Sequence, residues 1–350
     1  MTAEWIQIEK SRLAELEYKE RIFEAWLEEE GTQFLLNLAE QKAIDAPSML
    51  NIADTAADVS QREHEEKPIS SAFIVGDPAR IADLLPEAEI HLVEAAHIRD
   101  MSKVLTTLAE MVDGQVLAYA VDRRGFVHSI RKVDVTLDDD QVSPILGAQF
   151  RRYAIISKQA DAVVFFVPPQ GQRVKVFANG ALVGEFIRGD WVVRDVPHID
   201  RSVTEIARSK GYDIRLVQRV LGVAFQMSEM NLGAIFMVGD ADDILTRSDP
   251  PKISAYAAIE SANIYALSDQ ELVNFAKQDG ATVVDARGAF KGCMILLRPQ
   301  PHTPADIQPG EGARHTSAAK MSAETGSMAV VVSQDGPISI YQDGRLILRL

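Results

Sequence analysis

The sequence predicts a tandem α/β protein: two mixed β-sheets, each flanked by helices, behind an N-terminal helical segment. Three observations support this. First, β-type runs such as Phe236-Met-Val-Gly-Asp240 alternate with amphipathic runs such as Gln270-Glu-Leu-Val-Asn-Phe-Ala-Lys277, the pattern of a sheet with helices on its faces. Second, the chain repeats itself. Phe73-Ile-Val-Gly-Asp77 matches Phe236-Met-Val-Gly-Asp240, and Val112-Asp-Gly-Gln115 matches Gln278-Asp-Gly-Ala281. Gly147-Ala-Gln-Phe-Arg-Arg152 matches Gly312-Ala-Arg-His-Thr-Ser317, Ala162-Val-Val-Phe-Phe-Val167 matches Ser327-Met-Ala-Val-Val-Val332, and Asn179-Gly180 matches Asp343-Gly344. The offsets, in that order, are 163, 166, 165, 165 and 164 residues. Five short matches at a near-constant offset indicate a duplication. Third, 350 residues with 47% hydrophobic and 25% charged content suit two globular domains of ordinary size.

Taken in order, residues 3–44 read as helix, because Leu13, Leu16, Phe23, Leu27 and Leu38 recur at helical spacing. Gly31 is expected to divide this run in two. Trp5, Phe23 and Trp26 form either a partner-binding stripe or a packing face. Residues 45–68 hold Pro, Ser, Asp and the charged run Gln61-Arg-Glu-His-Glu-Glu-Lys67, and read as a linker. The boundaries expected are therefore 1–68 for the helices and linker, 69–195 for the first copy and 196–350 for the second. Two helices, Asp200–Lys210 and Ile214–Met230, open the second copy. Leu216, Val217, Val220, Leu221, Ala224 and Met227 give the latter an apolar stripe, and Met227, Met230 and Met237 read as core filler. Strands are expected at 233–238, 281–285, 292–297, 328–333 and 337–341, and helices at 269–277 and 313–325. The stretch 298–312, with Pro299, Pro301, Pro304 and Pro309, is too proline-rich for regular structure.

A net charge of −15 argues against a general nucleic-acid surface and against binding anionic lipid. Any anionic substrate must meet local positive charge such as Arg314, His315, Lys320 or Arg298. Cys293 is the only cysteine, which excludes a disulfide framework and a thiolate zinc site. No run approaches the roughly 20 apolar residues of a membrane span, and the N-terminus lacks a signal pattern. A soluble, cytoplasmic protein is expected. No Gly-x4-Gly-Lys-Ser/Thr run is present, so a Walker-type NTPase is excluded. His315 stands where a dinucleotide-binding motif would need its third glycine, and no strand leads into it.

Two loops carry the candidate chemistry. In Asp279-Gly-Ala281 a carboxylate able to hold a divalent metal is followed by small residues that let a ligand approach the backbone. In Gly310-Glu-Gly-Ala-Arg-His-Thr316 a glycine-rich turn runs into a helix start bearing a guanidinium, an imidazole and a hydroxyl, the components of a phosphate cradle. Together they suggest nucleotide chemistry. The first copy keeps Asp113 and Gly114. However, it has Gln149, Phe150 and Arg151 where the second has Arg314, His315 and Thr316, and Pro168 and Pro169 where the second has Ser333 and Gln334. It is expected to be catalytically silent, serving as a nucleotide sensor or a scaffold.

From about Ile214 to Leu350 the chain resembles the diadenylate cyclase family (DAC, or DisA_N). The likeness rests on Asp279-Gly-Ala281, Gly312-Ala-Arg-His-Thr316, Met328-Ala-Val-Val-Val-Ser333 and Ile338-Ser-Ile-Tyr341, in that order. It implies condensation of two ATP molecules into cyclic di-AMP with release of pyrophosphate. It also implies Asp279 as a catalytic carboxylate holding Mg²⁺ or Mn²⁺, and Arg314 and His315 as catalytic phosphate-holding groups. Gly280, Ala281, Leu296, Gly312, Thr316 and Ser333 complete the implied substrate site. Gln334 departs from relatives that carry Glu there. Because one chain holds one intact cradle, a homodimer or higher homo-oligomer with facing sites is expected. A non-catalytic receptor for ATP or cyclic di-AMP is the alternative.

Overall fold

The computed structural model describes residues 29–349, apart from 65–66, 89, 91, 93, 102–110, 136–141, 143–144, 170–171, 188, 195, 250–262, 309 and 335–336. Trp5, Phe23 and Trp26 lie outside the described residues. The chain divides into two compact units: one comprises 1–141 with 152–195, the other 142–151 with 196–350.

The first unit opens with helices α1 (Glu30–Gln41) and α2 (Ala46–Ser60). The second of these corrects the linker expected at 45–68. Asp45 caps it by accepting from Ser48 N at 3.1 Å, and Pro47 sits in its first turn, where a missing N–H costs nothing. Met49, Ile52, Ala53, Ala56 and Val59 recur at helical spacing and are buried in the core. Strands β1 (Glu63–His64) and β2 (Lys67–Pro68) then form a small hairpin. The main sheet is built from β3 (Ser71–Val75), β4 (Ala96–His97), β5 (Leu117–Val121), β6 (Phe126–Lys132), β7 (Val163–Val167), β8 (Arg173–Ala178), β9 (Ala181–Ile187) and β10 (Asp190–Val193). Helices α3 (Pro78–Leu84) and α4 (Ala148–Gln159) interrupt it in sequence. Phe73, Tyr119, Phe165, Val174 and Val176 share one core with α1 and α2.

The second unit begins with α5 (Val196–Lys210) and α6 (Ile214–Glu229). It continues through β11 (Ala234–Gly239), α7 (Ala241–Thr246), β12 (Ser248–Asp249), α8 (Asp269–Ala276), β13 (Ala281–Asp285) and β14 (Phe290–Leu297). Helix α9 (Ala313–Thr325) and strands β15 (Met328–Val332), β16 (Ile338–Gln342) and β17 (Arg345–Arg349) complete it. Ile235, Met237, Ala281, Val283, Ile295, Ala329 and Val331 form one core with Ala318, Ala319 and Met321 of α9. The alternate positions Phe236, Val238, Val330 and Val332 are equally buried, and α6 packs on β11 and β15. The sheet is therefore covered on both faces, which explains its near-continuous apolar strands. Among the described residues no helix is long and apolar enough to cross a membrane.

The two sheets share one topology. The first runs β4-β6-β5-β3-β7-β8-β9-β10 and the second β12-β14-β13-β11-β15-β16-β17. The parallel pair falls at the same place in each, β3 with β5 and β11 with β13. The first sheet adds β10 beyond β9. The fold is thus a tandem pair of mixed α/β sheet domains.

Candidate active site

Strand register gathers the predicted residues at one end of the second sheet. Ile235 of β11 lies opposite Ala281 of the parallel strand β13, so two residues earlier Gly233 stands level with Asp279. Ala234 pairs with Val332 of β15, which brings Ser333 beside Gly233. On the other side Ala281 pairs with Ile295 of β14, putting Leu296 next to Gly280. Asp279, Gly233 and Ser333 therefore line one row across three strands, with Leu296 one residue along, beside Gly280.

Arg314, in the first turn of α9, reaches that row. A Cβ placed on Gly233 would lie 2.5 Å from Arg314 Nη1, 2.8 Å from its Cζ and 3.1 Å from Gln334 Cγ. The guanidinium thus occupies the space a side chain at 233 would need. Gly233 was not singled out by the sequence, although a glycine immediately before a strand hints at such close approach. No hydrogen bond or ion pair among the described residues engages the Arg314 guanidinium, which leaves its donors for an anion. Gly312 caps α9 without a side-chain hydrogen bond, so the helix start also presents unsatisfied backbone N–H groups.

Asp279 is exposed at the turn between α8 and β13, and its carboxylate makes no hydrogen bond or ion pair among the described residues. Gly280 has φ +111°, and a Cβ there would meet the Met294 carbonyl carbon at 2.6 Å. Only glycine serves at this position, both for its backbone angle and for its packing on β14. Met294 itself has φ +58°, beside a register shift between β13 and β14.

His315 lies deeper than its expected phosphate-holding role suggests. It is 6% exposed, with Nε2 unpartnered, and meets Tyr341 edge-on at 6.3 Å between ring centres. Burial holds its pKa below the ordinary 6.5, opposed by Glu311 and reinforced by Arg349 and Arg314. The ring is neutral near pH 7, so it supplies a polar edge, not a positive charge. Glu311 anchors this layer: its Oε2 accepts from Tyr341 Oη and from Gln308 N, both at 2.9 Å. Its other oxygen lies 3.6 Å from Arg349 Nη1, at ion-pair distance.

The remaining predicted residues divide. Leu296 is exposed and Gly312 open, whereas Ala281 is buried in the core. The Thr316 hydroxyl donates to Gly312 O at 3.3 Å, and Ser333, half-buried, donates its N–H to Pro337 O at 2.9 Å. Two candidate cations are engaged elsewhere: Arg298 pairs with Asp249 at 2.7 Å, and Lys320 donates to Pro301 O. Among the described residues no three side chains of His, Cys, Asp or Glu cluster to hold a metal. One free carboxylate fits Mg²⁺ or Mn²⁺ only where waters and substrate phosphates supply the other ligands, which is the usual way nucleotide enzymes hold Mg²⁺.

The first sheet fills the same places differently. Asp113 Oδ1 accepts from Gln115 N at 2.9 Å and Val116 N at 2.8 Å, so its carboxylate is spent on its own turn. Ser70 stands where Gly233 stands; its Oγ lies 2.7 Å from Asp113 O and 2.8 Å from Val167 O. Tyr153 Oη donates to Gly114 O at 2.8 Å.

Residues 223–346 match the family model described as DisA bacterial checkpoint controller nucleotide-binding, DAC. The chain is 26% identical over 167 residues to a diadenylate cyclase of Haloferax volcanii, covering 45% of this chain and 61% of that protein. It is 30% identical over 121 residues to a diadenylate cyclase of Methanocaldococcus jannaschii, covering 33% and 37%. The chain therefore aligns with less than two thirds of either relative. Among solved structures, DacA from Staphylococcus aureus covers 39% of this chain and 85% of its own, at 20% identity and a TM-score of 0.28. A hypothetical membrane spanning protein from Bacillus cereus covers 43% and 88%, at 16% identity and a TM-score of 0.25. Residues 223–346, within the second domain of this chain, thus match the DAC family in sequence.

Proposed function

We propose that the chain is a diadenylate cyclase, joining two ATP molecules into cyclic di-AMP and releasing two pyrophosphates. The observation that carries this reading is the unengaged Arg314 guanidinium over Gly233, level in the sheet with the unengaged Asp279 carboxylate, in a domain whose sequence matches the DAC family. In each half-reaction a 3′-oxygen bonds to the α-phosphorus of the other nucleotide. The bond from that phosphorus to the pyrophosphate oxygen breaks, pyrophosphate leaves with the electron pair, and the hydroxyl proton passes to solvent. Such chemistry rests on positioning and charge neutralisation. Arg314 and the N–H groups at the start of α9 would hold phosphate oxygens as charge develops on them. His315, neutral and packed on Tyr341, would fix the depth at which phosphate sits. Leu296 and Gly280 would floor the nucleoside. Asp279 would hold Mg²⁺ or Mn²⁺, which when bound neutralises phosphate charge and favours ionisation of the 3′-hydroxyl.

One chain carries one such row, so two chains would present their second domains to each other, each holding one ATP. The test is incubation of the full chain with ATP and Mg²⁺ or Mn²⁺, with mass detection of product, beside Asp279→Asn. Cyclic di-AMP from the wild type and none from the variant supports the reading. ATP binding without product under either metal would overturn it and leave a nucleotide-binding regulator.

A further inference from the structure

A second cavity, of about 230 Å³, lies away from the Arg314 row, and every residue lining it belongs to the second unit. Its walls are Leu146, Gly147 and Arg151 on one side and Arg215, Arg219 and Tyr265 on the other, with Gln218 and Asp269 at its edge. Three guanidiniums face one carboxylate, in a chain whose net charge is −15. That local reversal of sign is the first sign of an anion site.

The arginines do not play equal parts. Arg219 is structural: its Nε donates to Ile264 O at 3.0 Å, Nη2 to Leu267 O, and Nη1 pairs with Asp269 at 3.1 Å. Arg151 donates through Nε to Leu146 O at 3.1 Å, which fixes the plane of its guanidinium. Arg215 is different. It is exposed, and among the described residues its guanidinium makes no hydrogen bond or ion pair, although it lines a formed cavity. Asp269, the one carboxylate among the described lining residues, is already neutralised by Arg219.

The duplication gives the cavity its meaning. Gly147 occupies the place of Gly312, and Arg151 that of Thr316. The first copy has lost its equivalents of Arg314 and His315, yet the glycine before its helix still opens onto a cavity, now lined with guanidiniums from α6. We infer that this cavity is a binding site for a phosphate group, separate from the Arg314 row, with Arg215 and Arg151 as its principal ligands. A fork of guanidiniums beside a helix start suits a tetrahedral, doubly charged oxyanion. The volume suits a phosphate with a compact substituent and is below the usual size for a whole dinucleotide. The inference does not depend on the cyclase reading.

The experiment is calorimetric titration of inorganic phosphate into the full chain carrying Arg314→Ala, which removes the other cradle from the signal. Saturable binding in the millimolar range or tighter is expected. Adding Arg215→Ala should weaken it tenfold or more, Arg215→Glu should abolish it, and Arg215→Lys should restore part of it. Arg215 is exposed and its guanidinium makes no hydrogen bond or ion pair among the described residues, so thermal melting should be unchanged in all three. No saturable binding to the Arg314→Ala chain, or equal affinity with and without Arg215→Glu, would overturn the inference.

Discussion

Two residues of the candidate site act through what they leave room for. Gly233 has no side chain, and Arg314 fills the space; Gly233→Ala would push the guanidinium aside without straining the backbone. A displacement of about 1 Å at a phosphate ligand costs roughly a hundredfold in rate. Product formation should fall by about that factor, with the melting temperature close to wild type; an unchanged rate would remove Gly233 from the site. His315 gives a pH prediction. Its pKa is held below 6.5 in the fold by burial, against the opposing pull of Glu311 and with help from Arg349 and Arg314. The unfolded chain therefore binds the proton first as pH falls, and stability drops through the window below 6.5 and above the folded pKa. Histidine ring titration by NMR should place one midpoint below 6.5, absent in His315→Gln. The variant's urea midpoint should fall less steeply with acid. Asp279, Arg314 and the glycine turn were legible because motif residues stand in sequence order. Gly233 was not, and Glu311 and Tyr341, though they stand inside the motifs, had no readable role, because all three act through contacts between segments roughly 80 or fewer residues apart that no local pattern records.

Helix α2 shows where local composition misleads. Its Pro47, Ser48 and Asp45 look like linker residues, yet each belongs to a helix start: Asp45 as the cap, Pro47 in the first turn, and Ser48 donating through both N and Oγ to the Asp45 carboxylate. Much of its buried face is alanine, with Ala53 and Ala56 beside Ile52 and Val59, so the apolar stripe is present but weakly hydrophobic. The cap is consequently a sizeable share of what fixes this helix. Asp45→Ala should cost about 1 kcal/mol, read as a lower urea midpoint with an unchanged slope. A cost near zero would mean that tertiary packing alone holds the helix. By contrast α6 and α9 were readable, the first from a strong Leu/Val stripe and the second from the glycine turn before it; the structure ends α9 at Gly326, which sits at φ +64° as the terminating residue.

At the scale of the molecule, duplication has kept a topology and divided its chemistry. Both sheets have the same strand order and the same single parallel pair; register brings Asp279 level with Gly233 in the second sheet, and in the first Ser70 lies beside Asp113, its Oγ 2.7 Å from Asp113 O. What differs is how the polar groups are used. Asp113 accepts two short backbone hydrogen bonds and is half-buried, whereas Asp279 is exposed and unengaged. This predicts a double dissociation between equivalent carboxylates. Asp113→Ala should destabilise the chain by about 1–2 kcal/mol, the net worth of the hydrogen bonds it removes, and leave product formation per folded molecule unchanged. Asp279→Ala should leave the urea midpoint unchanged and abolish product. Measuring both quantities on both variants decides the matter, because a purely structural role for Asp279 would move the midpoint, and a surviving catalytic role for Asp113 would lower the rate in chains that remain folded.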